Sequence, residues 1–366
     1  MTVERIAGVG LWILIASGAA IGQQRDDSAG PGPKAPVERV VVRTHVVGDF
    51  LPSRSVETRS DSGAREVVTE TIEMPDTDGK LRPTGETTTE TIRNGPNAVQ
   101  TRRDVVGFGA PGQRMLLETI QSEQEVLRDG TTRTVHNTLA PDVNGRLSLT
   151  FRQIEQTQST SPDVKQTGTA VFRPGLDEAL RESERIQQTE RQVTPDLIRS
   201  DSTLLVRDVN GRFQPAETRS REVRTNGPSE YVEEETIRRP DVNGKLTLSE
   251  RNSTRRFEAN GQHQMVMETF SGNVSGLVLS DNRLELSQRV RRTTTSDADG
   301  GGRTLEEVEA RVPGSPNKPL RMVQRTVETI RKVNAEHWET ERQVYLLDVN
   351  GQLVLAIEES GEATGR

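Results

Sequence analysis

Polar residues dominate this chain, and its apolar residues recur at a fixed spacing instead of gathering in blocks. The phrase D-x-[DN]-G stands at Asp76 to Gly79, Asp142 to Gly145, Asp208 to Gly211, Asp241 to Gly244 and Asp348 to Gly351. The first four copies lie 66, 66 and 33 residues apart, which defines a 33-residue period. Four residues before each Asp the register holds Ile72, Val105, Thr138, Val171, Leu204, Ile237 and Phe270. Two residues after each Gly it holds Leu81, Arg114, Leu147, Leu180, Phe213, Leu246 and Leu279. Each set is apolar in six of seven, in a chain with only 31% hydrophobic residues.

Each unit reads as two strands. Segments rich in Thr, Val, Arg and Glu, such as EYVEEETIRRP and KLTLSERNSTRRF, are separated by Asn-Gly or Asp-Gly turns, so tandem up-and-down hairpins follow. The pattern predicts an all-β fold of tandem antiparallel β-hairpin repeats forming one long twisted or curled meander sheet. Residues 37–359 hold nine or ten units, with longer loops near 296–303 and 313–319, and 360–366 is a disordered tail. Residues 176–192 have helical spacing in isolation, but their register places a strand pair there, with helix as the alternative. The turns are assigned to Asp76, Gly79, Asp142, Gly145, Asp208, Gly211, Asp241, Gly244, Asp348 and Gly351. A two-residue loop at Asn243 and Gly244 puts Ile237, Leu246 and Leu248 on one face; a three-residue loop from Val242 would split them. The first choice gathers Ile72, Leu81, Leu147, Leu204, Phe213, Ile237, Leu246, Leu248, Phe270 and Leu279 into one apolar stripe. Open ribbon, barrel and spiral all remain compatible with this pattern.

The phrases DVNGKL and DVNGRL resemble the turn of the YD repeats of Rhs-type secreted proteins. The resemblance covers the turns at Asp142, Asp208, Asp241 and Asp348, with Asp76 in variant form, and the family's tyrosine before the Asp is missing. It implies a repetitive β-scaffold outside the cytoplasm and supplies no enzymatic activity.

An address is readable at the start of the chain. The run Ile6 to Gly22 follows Arg5 and precedes a polar segment, as in an export signal, so 1–22 is assigned as a signal peptide and 23–36 as a flexible leader. A transmembrane anchor is the alternative. The chain has no Cys, so no disulfide contributes to its stability. Its location is then periplasmic or extracellular, in a bacterium.

Charge narrows the chemistry further. Net charge is −7 with signs evenly mixed, which lacks the basic footprint of a nucleic-acid binder. With 2 Trp, 2 Tyr and 7 Phe, there is no counterpart to the aromatic girdles of an outer-membrane barrel, so none is expected, and the chain is not integral to a membrane after cleavage. The Asp and Asn of the turns could open calcium loops, but KLTLS after Gly244 lacks the later oxygen donors. His45, His136, His263 and His337 stand singly. An S-x-x-K match at Ser315 to Lys318 follows an S-D-N match at Ser280 to Asn282, the reverse of the order in penicillin-binding enzymes and without their K-T-G, and the adjacent carboxylates of Glu233 to Glu235 alternate between faces. No catalytic, cofactor or metal site is assigned, and no enzyme is expected. The function that follows is an exported non-catalytic scaffold or interaction protein, self-associating through its sheet edges or binding a cell-envelope or matrix component. The alternative is a periplasmic carrier holding a lipid-like ligand in the curled sheet.

Overall fold

A computed structural model describes residues 37–47, 53–76, 78–109, 112–175, 177–227, 229–274, 277–278, 284–297, 301–311, 319–334, 337–348 and 350–365. The predicted signal and leader, much of the two long loops, and Leu279 lie outside these residues. Every regular element among them is a strand. In chain order they are β1 (Val37–Val47), β2 (Ser53–Asp61), β3 (Arg65–Pro75), β4 (Leu81–Arg93), β5 (Ala98–Phe108), β6 (Arg114–Val126), β7 (Thr132–Pro141) and β8 (Leu147–Ser161). There follow β9 (Val164–Pro174), β10 (Leu180–Thr194), β11 (Leu197–Arg207), β12 (Phe213–Asn226), β13 (Glu230–Pro240), β14 (Leu246–Ala259) and β15 (Gln262–Ser271). The remainder are β16 (Asn273–Val274), β17 (Leu277–Val278), β18 (Glu285–Ser296), β19 (Gly302–Ala310), β20 (Arg321–Lys332), β21 (His337–Leu347) and β22 (Leu353–Gly365).

Apart from the small β16–β17 pair, each strand runs antiparallel to its chain neighbour in a single 20-stranded sheet. The segment read as strand or helix is strand: β10 pairs with β9 and β11. The last strand pairs with the first, from Arg39 opposite Gly365 to Val47 opposite Ile357. This seam decides a choice the sequence left open and corrects two expectations. The sheet is a closed barrel and not an open ribbon, residues 360–365 complete its wall where a disordered tail was expected, and no edge of this sheet is left for strand addition. Closure satisfies the ladder groups that an edge strand would leave unpaired.

The D-x-N-G turns also differ from the favoured reading. At the β13–β14 turn the Asp241 N–H donates to the Lys245 carbonyl (2.9 Å), and the Gly244 N–H to the Asp241 carbonyl (2.9 Å). The loop is therefore three residues, Val242 to Gly244, with Gly244 at φ 78° as the left-handed member of a type I turn plus bulge. Asp241 Oδ1 accepts the backbone N–H groups of Asn243 and Lys245, which fixes the loop length. Asp142, Asp208 and Asp348 do the same at their turns.

Strands that leave the turns of this rim carry a bulge. From β4 to β14 the extra residues are Thr84, Leu117, Thr150, Ser183, Ala216 and Ser249, at 33-residue intervals, and β22 repeats it at Ala356. The hydroxyls of Thr84, Thr150, Ser183 and Ser249 donate to the carbonyls of Ile72, Thr138, Val171 and Ile237 across the ladder. Those carbonyls belong to the recurrent position four residues before the Asp. A bulge bends its strand and increases local twist, so a regular series of them curls the sheet toward closure.

Candidate lumen and rim

Closure gives the sheet an inner and an outer face, and burial distinguishes them. Side chains on the concave side of a curved sheet converge, so they lose more contact with water. Among the buried residues all but Val106, Thr119 and Thr131 share one face by register, including Val171, Ile237, Val344, Ser200, Glu217 and Thr326. We take that face as the inner one. Twenty strands spaced about 4.8 Å apart and tilted about 40° enclose a ring roughly 40 Å across between backbones. Side chains do not fill a ring that wide; barrels of 16–18 strands already leave an aqueous channel.

The inner face is charged and hydrogen-bonded over β12 to β14. Glu217 accepts from Arg219 Nε (2.5 Å) and Arg239 Nε (2.8 Å), and Asn252 Nδ2 donates to Glu235 (3.1 Å) and Glu250 (3.0 Å). Arg221 Nε donates to Glu233 (2.6 Å), which also accepts the Tyr231 hydroxyl. Burial alone would raise the Glu233 carboxyl, but the bonds from Arg221 and Tyr231 outweigh it and hold it below its ordinary value. The same pairing holds the Arg221 guanidinium more firmly protonated than usual. His136, also inner, is pushed down by burial, against the opposing charge of Glu155.

The outer face is polar as well. Arg199 pairs with Glu222 (2.8 Å), Arg255 with Glu230 (2.7 Å) and Arg325 with Glu307 (2.8 Å). Phe213 and Phe270 lie beneath the guanidinium groups of Arg185 and Arg251, each 4.7 Å from the ring centre. An Arg facing the middle of a bilayer costs about 2–4 kcal/mol, so this part of the wall is built for a hydrated setting.

The two rims differ. All the D-x-N-G turns lie at one end, since each joins an odd-numbered to an even-numbered strand up to β14, and β21 to β22 closes the series. At three of their tips Val143, Val209 and Val242 are 101%, 102% and 101% exposed. Behind them Met74, Leu81, Met115, Leu147 and Val354 are also exposed. Two of the turn carboxyls, Asp348 and Asp76, are held below the ordinary carboxylate range, the first chiefly by the N–H of Gln352 and the second chiefly by Arg82.

The predicted stripe is divided between the faces. Ile72, Leu204 and Ile237 are inner, whereas Leu81, Leu147, Phe213, Leu246, Leu248 and Phe270 are outer. The three-residue loop and the bulge behind it reset the alternation, so the stripe is a band on both sides of one rim and not an apolar groove. Glycines 79, 145, 211, 244 and 351 all have φ between 75° and 83° in their turns. Sequence reasoning missed the charged inner network, because a one-residue error of loop length exchanges the faces. Among the described residues no group of three or more His, Asp or Glu converges as a metal site.

No family model and no curated protein matches this sequence. Solved structures do match in fold. The siderophore receptor PirA from Acinetobacter baumannii is 6% identical with a TM-score of 0.51, over 92% of this chain and 81% of that one. Pseudomonas aeruginosa OccK3 (OpdO) is 9% identical with a TM-score of 0.49, over 90% and 94%. The receptor's likeness shows the fold alone. Both functional expectations are overturned by the closed, charged wall: among the described residues a scaffold joined through free sheet edges has no edges to use, and a lipid carrier has no apolar groove. The wall closes without an aromatic girdle, through strand pairing of β22 with β1 alone.

Proposed function

We propose that the protein is an exported bacterial envelope channel, a closed tube that gives hydrophilic solutes a water-filled path. The observation that carries this reading is the inner face, where Arg219, Arg221 and Arg239 are held by Glu217 and Glu233 on the wall of a 20-stranded ring. Fixed charges in paired arrangement keep such a wall hydrated without attracting one sign of solute strongly. The outer ion pairs support a setting in which most of the wall stands in water, outside the acyl core.

Size exclusion tests the proposal. The chain has no native Cys, so a single thiol reports its own surroundings. Ser202→Cys lies on the inner face and Ser220→Cys on the outer one. A small charged methanethiosulfonate should modify both, whereas a 5-kDa thiol-reactive polyethylene glycol should modify position 220 much faster than 202. Position 202 unreactive to the small reagent would mean a filled or collapsed lumen, and equal rates for the large one would mean an open sheet; either result defeats the channel reading.

A further inference from the structure

We propose that the rim bearing the D-x-N-G turns is seated in the surface of one lipid leaflet, with anionic headgroups around it, while the rest of the barrel stands in water. The inference starts from Val143, Val209 and Val242. The turn is made by the Asp carboxylate, the backbone and the left-handed Gly, so the residue at the tip is free to be anything polar. Three turns nonetheless carry a β-branched apolar side chain wholly in solvent. At the opposite rim the exposed large apolar side chains among the described residues reach at most 53%, at Val333, and turns such as Asn94 to Asn97 and Asn260–Gly261 are polar. The apolar tips therefore mark one end of the molecule.

What covers that end is decided by the faces behind the tips. Leu81 and Leu147 are outer and 42% exposed, while Ile72 and Val206, 40% and 37% exposed, are inner. A second barrel meeting this one end to end would touch the tips and leave both sides of the wall wet. Lipid surrounds a thin wall on both sides. From Val242 back to Ile237 the band is about 13 Å deep for a strand tilted about 40°. That is less than half the roughly 30 Å of a bilayer core, so the rim enters one leaflet and does not cross. Within the band Arg114 and Glu182 stand on the outer face, each in an ion pair, with Glu86 and Arg185, and farther from the turns outer ion pairs such as Arg199 with Glu222 continue. Charge agrees with this placement. Lys80, Arg146, Arg212 and Lys245 directly follow the turn glycines and are exposed, while each neighbouring Asp is turned back onto backbone N–H groups. Long cationic side chains at that level reach headgroup phosphates while their stems stay apolar.

The proposal does not depend on what passes through the barrel, and its test leaves the lumen untouched. Val242→Cys and Asn94→Cys, one at each rim, are labelled with nitrobenzoxadiazole and mixed with vesicles of phosphatidylcholine and phosphatidylglycerol. Emission at 242 should shift to the blue and rise about twofold or more on vesicle addition, with none at 94. The combined variant Val143→Asp, Val209→Asp, Val242→Asp should keep its strand spectrum and lose vesicle co-sedimentation by about tenfold. No change at 242, an equal change at both rims, or undiminished binding of the triple variant would overturn the proposal. So would a dye at 242 already blue-shifted without vesicles in a particle of doubled mass, since the rim would then be covered by a second copy. Because the thiols at 202 and 220 report the lumen independently, either proposal can fail while the other stands.

Discussion

Gly244 illustrates how much one residue decides. Its φ of 78° is a conformation that L side chains adopt at a cost of about 1–2 kcal/mol, and a β-branched residue is worst placed to do so. No atom crowds the missing Cβ, so the penalty at this position is purely one of backbone angle. Gly244→Val should therefore lower stability by that amount or more, whereas Gly168→Ala, in open space at an ordinary φ, should be neutral or slightly stabilising. Urea denaturation of the two variants checks this, and equal losses would contradict the turn geometry. Gly302, which the sequence places in an unconstrained loop, is an unsuitable comparison: it opens β19, and a Cβ there would meet the Thr295 carbonyl at 2.7 Å. The turn chemistry of Asp, Asn and Gly was legible in the sequence because it is local. The loop length was not, since two- and three-residue loops use the same residues and differ in which carbonyl the Asp N–H reaches.

At the scale of an element, the bulges explain why the hairpins are alike. Nothing in the residue type announces them, for Thr84, Leu117, Ala216 and Ser249 share only their place in the register. The signal available was the recurrent residue opposite, Ile72 to Ile237, read simply as an apolar position. Hydroxyl-bearing bulges add a bond across the ladder, worth about 1 kcal/mol where it is made. Ser249→Ala should cost about that much, because its bond to the Ile237 carbonyl (3.1 Å) is lost while Ala216 demonstrates that the backbone shape tolerates alanine. An unchanged denaturation midpoint would mean that the hydroxyl pins nothing. The face assignment of the stripe failed at this same scale, since a loop residue and a bulge each shift the alternation that periodicity takes as continuous.

For the whole molecule, strandedness and hairpin order were legible from the spacing of turns, and closure was not. The seam joins β1 to β22, the two ends of the sheet, and no local pattern reports a pairing across that distance. Its removal should have a global effect. Proline at Ala363, which lies opposite Val41 on one side and Trp338 on the other, removes a backbone donor from the wall. Ala363→Pro should release two unpaired edges and raise the scattering mass with concentration. A particle of unchanged size and stability would show that the seam is dispensable. The polar outer wall and apolar rim belong to this scale too, because each emerges only when twenty strands are seen together.

The evenly spaced bulges carry one further consequence, which concerns bore. Like the staves of a cask, hairpins that each contribute the same bend leave the width of the vessel to their number. Loss of one 33-residue unit removes two of twenty strands, and a barrel that recloses around the rest narrows by about a tenth. Barrel width in such a chain can thus change by copying or deleting a stretch of sequence, with no residue of the inner face needing to be redesigned.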